Sequence, residues 1–347
     1  ICAICAISER FLILSKSYFL LYSFGITNTL LNFIIKKICT ICGKYKFTFF
    51  LYLQEIFTFE TNPFFLIPKT KKMKFGQVAD PSQIDFTLPK DHPKTQKILA
   101  KSKGKDFNIY IGCAKWNKTD LKGFYPKGTK DELKYYATQF NSIELNATFY
   151  SLPSPEQVLT WKEKTPPTFK FFPKITNTVS HFRRLINVTD VVTDYATSVL
   201  NFGDQLGMVF LQLHDNFKPK DFDRVEKFVK DWPKEVPLAI EVRSAEWFEE
   251  ENFEKFSQLL EENNIANIIV DTAGRRDMLH MRLTSDTAFV RYVGANADSD
   301  YARLDDWLER IKLWKEEGLK NLYFFVHQNV ELASPLLSAY FIEKINE

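Results

Sequence analysis

Four pairs of polar side chains stand two positions apart at the ends of apolar runs: Glu144 with Asn146, Gln212 with His214, Glu241 with Arg243, and His327 with Asn329. In an extended strand alternate side chains share a face, so both members of each pair point the same way. Lys174, Asp271 and Arg291 close three further runs of the same kind. Carboxylates beside imidazoles can move protons, and guanidinium or ammonium groups can hold phosphate or carboxylate. Glu144 or Glu241 is the candidate base, and His181 or His327 its acid partner. Glu144, Glu241, Asp271 and His181 are therefore the candidate catalytic groups. Asn146, Lys174, Gln212, Arg243, Arg291, Arg184 and His327 are the candidate substrate ligands. Burying so many unpaired charges for structure alone would be costly, which favours a site over a purely structural network.

These groups need a frame that brings them together. Phe140–Tyr150 reads as one strand, with Ile143, Leu145 and Ala147 alternating against Glu144, Asn146 and Thr148. Apolar runs at Phe107–Cys113, Lys170–Lys174, Gly207–Leu213, Leu238–Arg243, Ile265–Asp271, Ala288–Val293 and Leu322–His327 supply seven more strands. Helical spacing separates them: Leu133, Tyr136, Ala137 and Phe140 behind an expected capping box at Thr129-x-x-Glu132, and later Leu304, Trp307, Leu308 and Ile311. Ser154-Pro155 and Ser334-Pro335 open two helices with proline at the first position. Eight strands alternating with helices predict an α/β fold, a (β/α)8 TIM-type barrel over residues 107–347. In that fold, catalytic groups come from the C-terminal strand ends. A doubly wound sheet also alternates, but no Gly-x-Gly-x-x-Gly or Walker loop is present.

Residues 1–72 differ in kind. Nine basic and three acidic side chains give them a net +6, so the rest of the chain carries −3 of the total +3. The segment is expected to be a non-core upstream extension, with Met73 the natural start and residues 73–106 a polar arm. Two alternatives for it are a membrane anchor at Ser17–Ile35, which is free of charge, and zinc held by the Cys2/Cys5 and Cys39/Cys42 pairs. Residues 73–347 are expected to hold no membrane segment. Cys113 is their lone cysteine and cannot form an internal disulfide, which suits a reducing cytoplasm. No cofactor is assigned. A divalent metal stays open through Glu241, Asp271 and His327, although no His-x-x-x-His spacing occurs.

From about Asn108 to Glu343 the chain resembles the YecE-like family, domain of unknown function 72. The resemblance rests on Phe124-Tyr125-Pro126, the block Tyr136–Glu156, Trp161 with Thr165-Pro166, and Lys174, His181 and Arg184-Leu185. It continues through Leu206-Gly207, Phe210–Leu213, Glu241-x-Arg243, Trp247 and Asp271. It implies a TIM-type barrel akin to the endonuclease IV and xylose isomerase barrels, with no established activity. Cys113-Ala114-Lys115 and His214-Asp215 depart from the family's usual pattern. The leading expectation is an enzyme of hydrolase or isomerase type acting on a phosphorylated or otherwise anionic substrate, a sugar phosphate or a nucleic-acid phosphodiester. The alternatives are a barrel that binds nucleic acid through His181, Arg183, Arg184, Arg275 and Arg276, and a scaffold with a relict pocket.

Overall fold

The structure is a computed structural model that describes residues 76–104 and 106–347. The expectations for residues 1–72 and for a start at Met73 lie outside the described residues. Eight strands follow in order: β1 (Asn108–Cys113), β2 (Ser142–Leu145), β3 (Lys170–Pro173), β4 (Val209–Gln212), β5 (Leu238–Glu241), β6 (Ala266–Thr272), β7 (Thr287–Gly294) and β8 (Asn321–Gln328). All pair in parallel. Six of them form a curled sheet in the order β1-β8-β7-β6-β5-β4, and β2 pairs with β3. Two bridges, Phe171 with Leu206 and Lys174 with Phe210, carry the pairing from β3 to β4.

The remaining seam, between β1 and β2, has no backbone ladder, which departs from the expected eight-strand ring of hydrogen bonds. Side chains span it instead. The Asn141 amide accepts from the Ile111 N–H at 2.9 Å and donates to the Ile109 carbonyl at 2.8 Å. The Tyr136 hydroxyl accepts from the Cys113 N–H at 2.7 Å and donates to the Ser142 carbonyl at 3.0 Å. Gly112 is required here, because a Cβ would stand 2.1 Å from the Ser142 carbonyl oxygen.

Helices cover the outside: α1 (Pro93–Leu99), α2 (Glu132–Gln139), α3 (Ala147–Tyr150), α4 (Pro155–Glu163), α5 (Thr189–Leu200), α6 (Phe222–Asp231), α7 (Glu250–Glu262), α8 (Ser299–Glu317) and α9 (Ser334–Asn346). The proline start of α4 is as its sequence predicts, with Ser154 accepting from the Gln157 N–H. The capping box is not. Asp131 caps α2, while Thr129 turns back to the Pro126 carbonyl and Glu132 accepts from the Lys118 N–H. A short carboxylate directly before the first turn outcompetes a hydroxyl two residues earlier. Only short 3-10 turns, Ala273–Met278, follow β6, so that crossover lacks an α-helix. Among the described residues no helix is long and apolar enough to cross a membrane.

The arm does more than wrap. Leu99 of α1 is fully buried, and the Thr95 hydroxyl donates to the Met281 carbonyl and accepts from the Leu283 N–H. Inside the curl lies an aromatic plug. Phe172 of β3 packs on Tyr323 and Phe325 of β8, with ring centroids 4.6 and 4.8 Å apart, and Phe289 of β7 meets Phe210 of β4 at 5.6 Å. Strands remote in the ladder therefore face one another. Each buried ring contributes about 1.5–3 kcal/mol to holding the curl.

Candidate active site

The plug sets the register of everything above it. Phe172, Phe210, Ala239, Phe289 and Phe325 point inward. Two residues on, on the same face, come Lys174, Gln212, Glu241, Arg291 and His327. These five, with Glu144 of β2, meet at the C-terminal mouth. β2 itself is shorter than expected: it ends at Leu145, and the chain turns at once into α3. Asn146 therefore sits at a helix start rather than in a strand, and its amide folds back to donate to Glu144 Oε1 at 2.8 Å.

Arg291 is the centre of the network. Its Nε and Nη2 donate to the two oxygens of Glu144 at 2.8 and 2.9 Å, and its Nη1 donates to Glu241 at 2.6 Å. The other Glu241 oxygen accepts from Arg243 Nε at 2.6 Å and from Gln212 at 2.9 Å. His327 Nε2 lies 3.0 Å from Glu144 Oε2. A carboxylate can only accept, so that nitrogen carries a proton. Gln212 in turn accepts from Lys174 Nζ at 2.7 Å, and this amine sits 4.2 Å above the Phe149 ring.

The electrostatics follow from burial against pairing. Burial alone would raise the Glu144 carboxyl, yet Arg291 and His327 hold it well below the usual carboxylate range. Burial likewise opposes ionisation of Glu241, and Arg291 with Arg243 bring it down to about 2. Each carboxylate is thus held as the anion by a guanidinium. The reverse holds for Lys174. Burial first, then the nearby Arg291 and Arg243 charges, push its ammonium down to about 7. Burial and then His214 lower His181 to about 4, so its imidazole is neutral. That ring packs edge-on to Phe149 at 5.0 Å and to His214 at 4.9 Å, and its Nδ1 shares a hydrogen bond with the Ser180 hydroxyl.

Two expected members are elsewhere. Asp271 points away from the mouth. In β6 the residues facing the plug are Ile268 and Val270, so Asp271 shares the outer face with Ile269. There it accepts from Arg303 and Trp307 of α8, each at 2.8 Å, and pairs with Arg276. Arg184, whose φ is +48°, braces two loops by donating to Asn216. The Glu241, Asp271, His327 set considered for a metal is thus not assembled. Among the described residues no group of three or more metal-ligating side chains is placed to hold an ion. Replacing Asp271 by Asn is expected to cost about 1.5–3 kcal/mol in urea unfolding, because it removes a charge-assisted bond inside the fold. The same change is expected to leave the mouth untouched. A shift in the Lys174 titration in that variant would contradict this division.

Sequence reasoning missed Arg303 and Trp307, whose only signal was their place beside Leu304 on the buried stripe of α8. It also missed Asp215, which pairs with Arg243 at 3.4 Å. A separate cavity of about 350 Å³ opens beside the starts of β1, β2 and β3, between Thr138, Asn141, Phe169 and Asn346. Its lining holds no charged side chain, unlike the mouth at the other end of the strands.

The family model described as Protein of unknown function DUF72 matches residues 110–347. The chain belongs to this family. The DUF72 match includes Glu144, Lys174, Glu241 and Arg291, the residues that assemble the mouth. Among relatives, the chain is 28% identical over 242 residues to UPF0759 protein YecE of Escherichia coli K12, covering 63% of this chain and 86% of that one. It is 26% identical over 149 residues to UPF0759 protein YunF of Bacillus subtilis, covering 40% and 52%. A DUF72 family protein from Thermotoga maritima superposes with a TM-score of 0.59 at 25% identity, over 69% of this chain and all (100%) of that one. One from Enterococcus faecalis gives 0.59 at 18% identity, over 69% and 96%. These likenesses establish an α/β fold with a curled parallel sheet and a family whose function is uncharacterised.

Proposed function

We propose that the mouth is the active site of an enzyme that acts on a small anionic substrate, phosphorylated or carboxylated, with Lys174 as the proton-transfer group. The observation that carries the reading is the chain of buried hydrogen bonds from Lys174 through Gln212, Glu241 and Arg291 to Glu144. It fixes a single amine at the edge of an otherwise neutralised lattice. An amine that titrates near neutrality can both take and give a proton at working pH. The two glutamates act as fixed counter-ions, not as bases, and His181 as a neutral imidazole beside the amine. In the same reading the eight strands form a closed (β/α)8 barrel in which Asn141 and Tyr136 stand in for the missing ladder. A cytoplasmic setting belongs to it as well, with Cys113 a buried thiol that burial pushes up to about 12.

A binding surface for nucleic acid is less favoured. Three of its four loop arginines are ion-paired within the chain, Arg183 with Asp190, Arg275 with Asp277 and Arg276 with Asp271, and the fourth, Arg184, is engaged by Asn216.

The test is a calorimetric titration with orthophosphate across pH 6–9. An anion beside Lys174 favours its charged form, so binding should take up a proton. Affinity is expected to fall by up to about tenfold per unit above pH ~7. Binding heats that ignore pH, or no heat at all, would overturn the assignment.

A further inference from the structure

We propose that Lys174 is also a nucleophile that forms an imine with its substrate, so that the anion this mouth accepts carries an aldehyde or ketone group. The inference rests on the reading of the mouth as an anion-binding active site and goes past it by naming the reacting function.

The geometry of the amine is the reason. Among the described residues Lys174 Nζ makes one polar contact, to the Gln212 side-chain carbonyl oxygen, and it lies on an aromatic face. Both carboxylates of the mouth are occupied by Arg291 and Arg243, and neither makes an ion pair with Lys174. A lysine desolvated beside other cations is how an amine becomes a nucleophile near neutral pH. With its titration near 7, the neutral fraction of this amine at pH 7 exceeds that of an exposed lysine by roughly a thousandfold.

The step balances without a redox partner. The nitrogen lone pair attacks the carbonyl carbon, the π electrons pass to oxygen, and the nitrogen sheds a proton while the oxygen gains one. The resulting carbinolamine takes a second proton, drawn from solvent, on its hydroxyl and expels it as water while the lone pair closes the C=N bond, giving an iminium that keeps one N–H. His181, an imidazole packed on the same Phe149 ring, can relay that solvent proton to the leaving hydroxyl. The Gln212 oxygen that now accepts from the ammonium can accept from the iminium N–H in the product.

The experiment incubates the full chain with glyoxylate, a small anionic aldehyde, and sodium cyanoborohydride between pH 6 and 9, and maps the reduced adducts by peptide mass spectrometry. One adduct per chain is expected first on Lys174, at least about tenfold faster than on the average exposed lysine. Its rate should rise with a midpoint near pH ~7, and orthophosphate should slow it. Lys174→Met should show only slow surface labelling. Adducts scattered over exposed lysines with Lys174 unmodified would overturn the imine. That result would leave the orthophosphate heats standing, whereas their absence would overturn the underlying reading.

Discussion

Replacing Arg291 by methionine is expected to lower folding stability at pH 7 by about 3–5 kcal/mol, the range for removing one partner from a buried ion pair. Arg291 joins two carboxylates from different strands, and it is the only guanidinium among the described residues that pairs with Glu144. Its loss leaves Glu144 with His327 and Asn146, and Glu241 with Arg243 and Gln212. Glu144 is then the more exposed to the cost of desolvation. The pH dependence should reverse as well. In the wild-type chain both folded-state carboxyls titrate below the ordinary glutamate value of 4.5, so the unfolded state binds more protons in that window. Their contribution is present above pH ~4.5 and is lost as pH falls toward about 2. In the variant, burial should raise Glu144, so the variant gains relative stability as acid protonates it. Urea unfolding at pH 7 and pH 5 measures both effects. Equal stability of the two proteins at pH 7 would mean that the network contributes nothing.

Lys174→Met is expected to act in the opposite direction and to stabilise the fold by about 1–4 kcal/mol at pH 7. That is the gain seen when a buried charge gives way to a packed apolar side chain of similar size. The folded-state ammonium titrates at about 7, against an ordinary lysine value of 10.5, so between those pH values the unfolded chain binds more protons. Wild-type stability from this group therefore rises with pH through that window, and the burial penalty is complete below it. The variant lacks the rise. Its advantage over the wild type should be largest near pH 7 and shrink toward pH 10, while orthophosphate heats disappear. A variant less stable than the wild type at pH 7 would show that Lys174 is held for structure. A more stable, non-binding variant is the trade expected of a functional group kept at a cost to the fold.

The two results would also separate roles that look alike in the sequence. Glu144, Glu241, Lys174 and Arg291 are all charged residues at the ends of apolar runs. Arg291 and the glutamates neutralise one another, whereas Lys174 is left with an amide and an aromatic ring. Under the proposed function, anion capture in this mouth is assigned to the amine rather than to an arginine clamp.

Alternation of apolar runs with helical spacing was enough to place all eight strands, because period 2 and period 3.6 are local properties of the chain. Position at the ends of those runs picked out Lys174, Gln212, Glu241, Arg291 and His327, and the structure puts each two residues beyond an inward side chain. Alternation failed at β6, where Ile268, Ile269 and Val270 are apolar on both faces and give no clue to the side Asp271 takes. It failed again at Asn146, where α3 interrupts a pattern that still alternates. Which cation answers which carboxylate was beyond it altogether. Arg291 meets Glu144 across 147 positions, and only the curl of the sheet brings them to 2.8 Å. The depressed Lys174 and the two locked glutamates are consequences of that meeting, because a side chain's proton affinity depends on its burial and its charged neighbours in space, and sequence order records neither.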